Sequence, residues 1–379
     1  MVVTGLEIDM LSLGDADCSI ISAWTPAGPQ YVVIDGGKAS DAAAVREFLR
    51  SRGITTIWAV VCTHMHGDHV GGLIKLVEDK SLTIHNGWMH DIRKHLLPSS
   101  LLRATRGYSK EADAVREVVD NTRELAAAFS KRSINLSEPF AGSVVAGYPE
   151  LVVLGPSRAF YAAALQEFSS IVEPRHVPPP PFLGLGALSN YSFDTLYRPI
   201  EPATPTLVPG LLSAQPHPAA FGSLHDLLGD ATIKINPKTQ PYNETSVILG
   251  CTLNEHRYLF TADAGANALR RVPVDWKDVT WMQVPHHGSD GNLSRDLTER
   301  FRPTYAYISA CGDEDHPSRS VVSALVKVGS KVFSTQSGNL RHLHGNVPHR
   351  PEYKPAEELR GTGSPIPVLK VPPFMPGLR

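Results

Sequence analysis

The sequence predicts an α/β protein, and three observations lead to that class. Short apolar runs of strand length alternate with segments whose apolar residues recur at helical spacing. One run, Ile57-Trp58-Ala59-Val60-Val61-Cys62, leads straight into Thr63-His64-Met65-His66-Gly67-Asp68-His69, followed by Val70-Gly71-Gly72. Later runs also end in an acid or in histidines, at Thr261-Ala262-Asp263 and at Val284-Pro285-His286-His287-Gly288-Ser289. Polar groups at successive strand ends can converge on one rim of a sheet, where functional groups usually collect.

The elements follow in chain order. Residues 6–13 read as a strand, paired with 18–24 across Gly14-Asp15-Ala16-Asp17, and 31–34 as a third strand ending in Asp35-Gly36-Gly37. Ser40 caps a helix with Ala44, Val45, Phe48 and Leu49 on its apolar face, stopped by Gly53. Residues 57–62 are the fourth strand, and Gly71-Gly72 give the next helix a close-packed start. Residues 110–132 carry the clearest helical period: Val115, Val118, Val119, Thr122, Leu125 and Phe129. That face packs either on the core or on a second subunit. A short strand at 151–154 and a short helix at 160–168 come next.

From 174 to 241 prolines accumulate, and the stretch reads as irregular chain draped over a core. Within it, Ser189-Asn190-Tyr191-Ser192-Phe193 is either substrate-facing or plain loop. Regular structure resumes with a hairpin, 245–251 and 258–261, turning at Asn254-Glu255. Then come a helix at 266–271, a strand at 281–284, a helix at 293–301, a strand at 305–309, a helix at 320–328 and a last strand at 331–334. The tail from Pro348 reads as extended.

A chain of 379 residues can bury a large core as one large domain or two. Hydrophobic residues make up 42% and charged residues 20%, the balance of an ordinary globular chain. Lys+Arg 36 against Asp+Glu 38 gives a net charge of −2, so a nucleic-acid partner would need a local basic patch. Glu7 and Asp9 interrupt the first thirteen residues, which predicts no signal peptide, and no run is long enough to span a membrane. Cys18, Cys62, Cys251 and Cys311 are widely spaced in or beside apolar runs and read as reduced core residues. A cytoplasmic location is the resulting expectation.

The histidine turn places four metal-ligand side chains within six residues. His64 and His66 can face one ion, while Asp68 and His69 can serve a second. Nitrogen and oxygen ligands of this kind suit Zn²⁺, with Mn²⁺ or Fe as competitors. A binuclear site also needs a bridging carboxylate and a further ligand, and Asp263 and the His286-His287 pair stand at strand ends to supply them. Two such ions suit attack of an activated water on phosphorus. His316, in Gly312-Asp313-Glu314-Asp315-His316-Pro317, is a candidate proton donor or phosphate contact, and Ser246 and Ser289 are candidate donors to phosphate oxygens.

These residues resemble the metallo-β-lactamase-fold hydrolases, most closely the branch typified by the hydrolase domain of the competence protein ComEC and by phosphorylcholine esterases. The matching pieces, in order, are Leu13-Gly14-Asp15-Ala16-Asp17, Ile34-Asp35-Gly36-Gly37, the histidine turn, Asn243-Glu244-Thr245-Ser246, Thr261-Ala262-Asp263, Val284-Pro285-His286-His287-Gly288-Ser289 and Asp315-His316-Pro317. They cover roughly residues 5–90 and 240–340.

The resemblance implies a single four-layer αββα sandwich over 1–379, with 90–240 as an unmatched insertion and 345–379 as a Pro-rich tail. It implies His64 and His66 on the first metal, Asp68 and His69 on the second, and Asp263 between them. It carries the remaining second-metal ligand onto His287 and leaves His286 to the substrate, with the opposite choice open. Asp35 would orient a ligand imidazole, with Asp15 nearby. The broader family places a further histidine near Asn243, within Asn243-Glu244-Thr245-Ser246, so the first metal is left with two histidines and Asp263, which implies weaker retention or a preference for Mn²⁺ over Zn²⁺ unless His85, His90, His95, His176, His217 or His225 replaces the ligand. Two divalent ions, Zn²⁺ or Mn²⁺, are the implied cofactors.

The implied activity is phosphodiester hydrolysis, most simply a nuclease with Asp68, His286 and His316 nearest the chemistry. The alternative substrate is a small phosphoester, a cyclic nucleotide, or a lactone or lactam. Arg341, His342, His344, His349 and Arg350 could steer a phosphate chain. Intact ligands argue against a non-catalytic interaction module, and a protein partner or second subunit stays open.

Overall fold

The computed structural model describes residues 2–96, 110–145, 151–170, 241–312, 316–348 and 358–359. The expectations for the Pro-rich stretch up to residue 240, including 189–193 and His176, His217 and His225, lie outside the described residues, as do His349, Arg350 and nearly all of the tail.

Alternating side chains build the first sheet. Its strands are β1 (Gly5–Met10), β2 (Ser19–Thr25), β3 (Gly28–Ile34), β4 (Thr56–Val61), β5 (Thr83–Trp88) and β6 (Asn135–Ser137). On these strands Ile20, Val33 and Val60 face one way, while Ile21, Val32, Ile34, Ala59 and Val61 face the other. Helices α1 (Ala42–Ser51), α2 (Gly67–Glu78) and α3 (Lys110–Lys131) cover the first face. The α3 residues Val115, Val118, Leu125 and Phe129 are buried in that layer, so its apolar face packs on the core of this chain. In α1 the buried residues are Ala42, Val45 and Leu49, whereas Ala44 is exposed.

The second sheet is built from β7 (Leu151–Gly155), β8 (Ile248–Leu253), β9 (His256–Phe260), β10 (Trp281–Gln283), β11 (Tyr305–Ile308) and β12 (Lys331–Ser334). Its order is β12-β11-β10-β9-β8-β7, with β9 to β12 parallel and β7, β8 and β9 antiparallel. Tyr258, Phe260 and Trp281 face the first sheet across a shared core. Leu259, Met282, Ala306 and Ile308 face outward, under α5 (Ala266–Arg270), α6 (Arg295–Phe301) and α7 (Arg319–Lys327). Helix α4 (Arg158–Ser170) follows β7. The layers are therefore helices, sheet, sheet, helices, as expected.

Besides β5 and β6, two strands that the sequence reading does not place, two features depart from it. Residues 331–334 are not the last strand, because β13 (Leu340–Gly345) crosses to the first sheet and pairs antiparallel with β1, giving the order β13-β1-β2-β3-β4-β5-β6. Arginine and histidine residues interrupt the leucines there, which hides a strand whose arginine is paired internally. Arg341 Nε donates to Glu7 Oε1 at 2.7 Å, and the Arg52 guanidinium reaches Glu7 at 2.9 Å and Asp9 at 2.9 Å. All four side chains are almost fully buried. His342 is buried against Tyr258 and Tyr305, and His344 stacks on His256. Arg341 and His342 therefore do not form a surface that steers phosphate. The second departure is Cys311, which is exposed; Cys18, Cys62 and Cys251 are buried, and all four are free thiols.

Candidate metal centre

The parallel strands deliver the polar loops to one rim. β4 ends at Val61, and the turn that follows runs directly into α2, whose second and third residues are Asp68 and His69. Backbone packing fixes this helix start. A Cβ on Gly72 would lie 1.9 Å from the Gly36 carbonyl oxygen, so only glycine lets the 35–38 loop lie against α2. That contact brings Asp35 under His69. The Asp35 carboxylate accepts from Thr63 N at 2.8 Å and Thr63 Oγ1 at 2.6 Å, and lies 2.9 Å from His69 Nδ1.

Each ring except His66 is tied at the nitrogen that faces away from the centre. His287 Nδ1 lies 2.8 Å from the Ser309 carbonyl oxygen, and His286 Nδ1 lies 3.0 Å from Asn292 Oδ1. His64 Nδ1 is 3.2 Å from Thr63 Oγ1. These partners select the tautomer that leaves Nε2 free to ligate. The Met65 backbone is held from both sides, by the Tyr242 hydroxyl and by Asn121 Nδ2.

Three ligand clusters result: His64, His66 and Asp263; Asp68, His69 and His287; and Asp17, His69 and Asp263. Asp263 joins them through different oxygens. Its Oδ2 is 3.5 Å from His64 Nε2, and its Oδ1 is 3.3 Å from His69 Nε2. His64 Nε2 and His66 Nδ1 are 3.1 Å apart, and His287 Nε2 is 3.6 Å from Asp68 Oδ2. Two ligands each about 2.1 Å from a tetrahedral ion lie about 3.4 Å apart. His69 Nε2, Asp263 Oδ1 and His287 Nε2 are buried with no hydrogen-bond partner. Orphaned buried polar atoms are costly, and here they face one another in ligand geometry, so the residues fit bound divalent metal.

The electrostatics are those of a cation site. Burial raises the Asp68 carboxyl, but the charge of His69 and the contact with His287 outweigh it and hold it well below the usual carboxylate range. Asp263 is likewise pulled down against burial, chiefly by His69 and His286. Burial would lower His287, yet Asp68, Asp17 and Asp263 push it up to about 9. Burial and neighbouring His64 lower His66 to about 3. Burial dominates at Asp17 and raises it. Four residues around the centre hold left-handed backbone: Asp35, Ala262, His286 and His287.

The remaining candidates take different positions. His287 joins a ligand cluster, whereas His286 joins none, although its Nε2 lies 3.7 Å from Asp263 Oδ2. His316 lies at the mouth, its ring 5.8 Å from those of both His286 and His287. Ser289 is half-buried beside them. Asp15 is not among the ligand clusters and accepts from Cys311 N at 2.8 Å. Ser246 is fully buried with its Oγ unpartnered, and Asn243 is 1% exposed. His85 is exposed against Trp58, His90 lies under Phe140 and Tyr161, and His95 pairs with Glu138, so none of these three joins the centre.

Asp17, Tyr242, Asn121, Asn292 and Ser309 belong to the site without having been singled out. Asp17 lies two residues from Asp15, within Leu13-Gly14-Asp15-Ala16-Asp17. The others carry no local signal, because they act through contacts distant in sequence.

Residues 24–125 match the family model of the Metallo-beta-lactamase superfamily. That span contains His64, His66, Asp68 and His69 and stops short of Asp263 and His287. Among solved structures, the chain is similar to a protein from Thermotoga maritima provisionally classed as a metallo-beta-lactamase, at 14% identity and a TM-score of 0.24. The match covers 36% of this chain and 54% of that one, about half the relative's length. Comparison with curated proteins gives no match. Two sheets with helices on both outer faces are the metallo-β-lactamase fold, and most members of that superfamily are metal-dependent hydrolases. The family model covers residues 24–125 alone and names no branch within the superfamily.

Proposed function

We propose that the protein is a binuclear metal-dependent phosphodiesterase whose first candidate substrate is a nucleic-acid strand. The observation that carries this reading is the Asp263 carboxylate, whose two oxygens face two different ligand sets. His64 and His66 would hold one ion, Asp68, His69 and His287 the other, and Asp263 both. When bound, such a pair supplies a nucleophilic water and neutralises charge on the leaving oxygen of an in-line displacement.

The protein's own groups do the rest. Asp35 and Ser309 fix the tautomers of His69 and His287. His286, held by Asn292 and 23% exposed at its side chain, presents its ring to a phosphate oxygen. His316 at the mouth can give a proton to the departing oxygen. The preference for phosphodiesters rests on the ordered motifs from Asp15 to His316, which resemble hydrolases of that class.

The test is cleavage of labelled single- and double-stranded DNA and RNA, beside a small chromogenic phosphodiester, by metal-stripped protein resupplied with Mn²⁺ or Zn²⁺. Metal-dependent cleavage of a polymer, lost in Asp68→Ala and His287→Ala, supports the nuclease reading. Cleavage of the small diester alone moves the substrate to a small phosphoester. No phosphodiester cleavage with both ions bound overturns the proposal.

A further inference from the structure

The two ligand sets are unequal. Asp68, His69 and His287 form a cluster without help, whereas the other ion has only His64 and His66 beyond the shared Asp263. None of the described histidines outside the motifs supplies the difference.

Asn243 lies at the seam between the loops that carry this weaker set. It belongs to a short turn, Pro241–Thr245, whose neighbours on both sides are fixed to the centre. On one side the Tyr242 ring lies 5.1 Å from that of His66 and 6.0 Å from that of His64, and Val247 N donates to the Thr63 carbonyl at 3.0 Å. On the other side the Glu244 carboxylate caps the helix that follows Asp263, accepting from Ala268 N at 2.7 Å and Asn267 Nδ2 at 3.0 Å. A Cβ on Gly265 would sit 2.3 Å from that carboxyl, so the turn and the Asp263 loop are in direct contact. Between these anchors, the Asn243 side chain is buried and its Oδ1 has no hydrogen-bond partner. A buried amide oxygen left unpaired, on a turn whose neighbours touch both loops of the cation site, needs a donor or a cation.

We infer that Asn243 Oδ1 is a ligand of the ion held by His64, His66 and Asp263. The inference rests on the binuclear reading and adds a residue to it. A neutral amide oxygen is a hard, weak donor where an imidazole would be softer and stronger. It tilts this position toward Mn²⁺ relative to Zn²⁺.

Calorimetric titration of metal-stripped protein with Mn²⁺ and with Zn²⁺ tests it. Wild type takes up two ions. Asn243→Ala weakens one of them by about tenfold or more and leaves the other unchanged. The isosteric Asn243→Asp, which adds a charge to the same oxygen, tightens that ion, and Asn243→His shifts the preference from Mn²⁺ toward Zn²⁺. If Asn243→Ala does not fold, the Asp variant decides alone. Two ions in wild type with affinities within about threefold in every variant overturn the inference, and then Asn243 and Ser246, whose Oγ is also buried and unpartnered, share a water. Fewer than two ions in wild type overturn the binuclear reading itself.

Discussion

Asp35→Asn isolates the contribution of a residue that faces no ion. The Asp35 carboxylate accepts three hydrogen bonds, from Thr63 N and Thr63 Oγ1 and from the proton it sets on His69 Nδ1. An asparagine can keep its oxygen on Thr63 N. Its amide nitrogen then replaces Oδ2, which now serves both Thr63 Oγ1 and His69 Nδ1. That nitrogen donates where an acceptor stood, so His69 must accept at Nδ1 and carry its proton on Nε2. Nε2 is the atom 3.3 Å from Asp263 Oδ1, on the ligand side of the ring.

The expected cost is about 10- to 100-fold in affinity for the ion bound by His69, or about 1.4 to 2.7 kcal/mol. The metal-free protein changes less, because Thr63 Oγ1 can turn to accept from the new amide. Its loss stays below about 3 kcal/mol, the upper range for a hydrogen bond to a charged group. Chelator competition measures the affinity, and urea unfolding of the stripped protein measures the stability. Wild-type affinity for both ions in Asp35→Asn would refute the tautomer argument.

Glu7→Ala removes the carboxylate shared by the buried Arg52 and Arg341 and is expected to cost about 3–5 kcal/mol in urea unfolding at unchanged m. A loss below about 1 kcal/mol would mean that those guanidiniums find water. Gly72→Ala forces α2 away from Gly36, so metal uptake and thermal midpoint should fall together; wild-type values for both would show that the loop yields. Burial lowers His90 to about 3 from 6.5, so the unfolded chain takes up that proton first on acidification. Its contribution is complete above pH 6.5 and falls as pH drops toward 3, by about 2 kcal/mol at pH 5. The stability gap between wild type and His90→Phe should therefore shift toward the variant by that amount from pH 7 to pH 5, and a pH-independent gap would contradict it.

What the sequence shows is what local chemistry encodes. The continuous apolar runs at 57–62 and 258–261 mark buried strands and the helical period of α3 marks a helix wherever they occur, so most elements could be placed to within a few residues. The His64–His69 turn is legible because one tight turn brings its ligands together. β13 escaped because Arg341 and His342 look like surface residues until Glu7, Tyr258 and Tyr305 are set against them. The supports of the centre escaped for the same reason. Asn292 holds His286, Ser309 holds His287 and Tyr242 holds the Met65 backbone, and each pairing exists only once the two sheets have packed.

The central claim is that two ions share Asp263. Anomalous difference maps of crystals soaked in Mn²⁺ or Zn²⁺ test it most directly. Two peaks about 3.5–4 Å apart are expected, one on each side of the Asp263 carboxylate. A single peak, or two peaks that do not share Asp263, would contradict it.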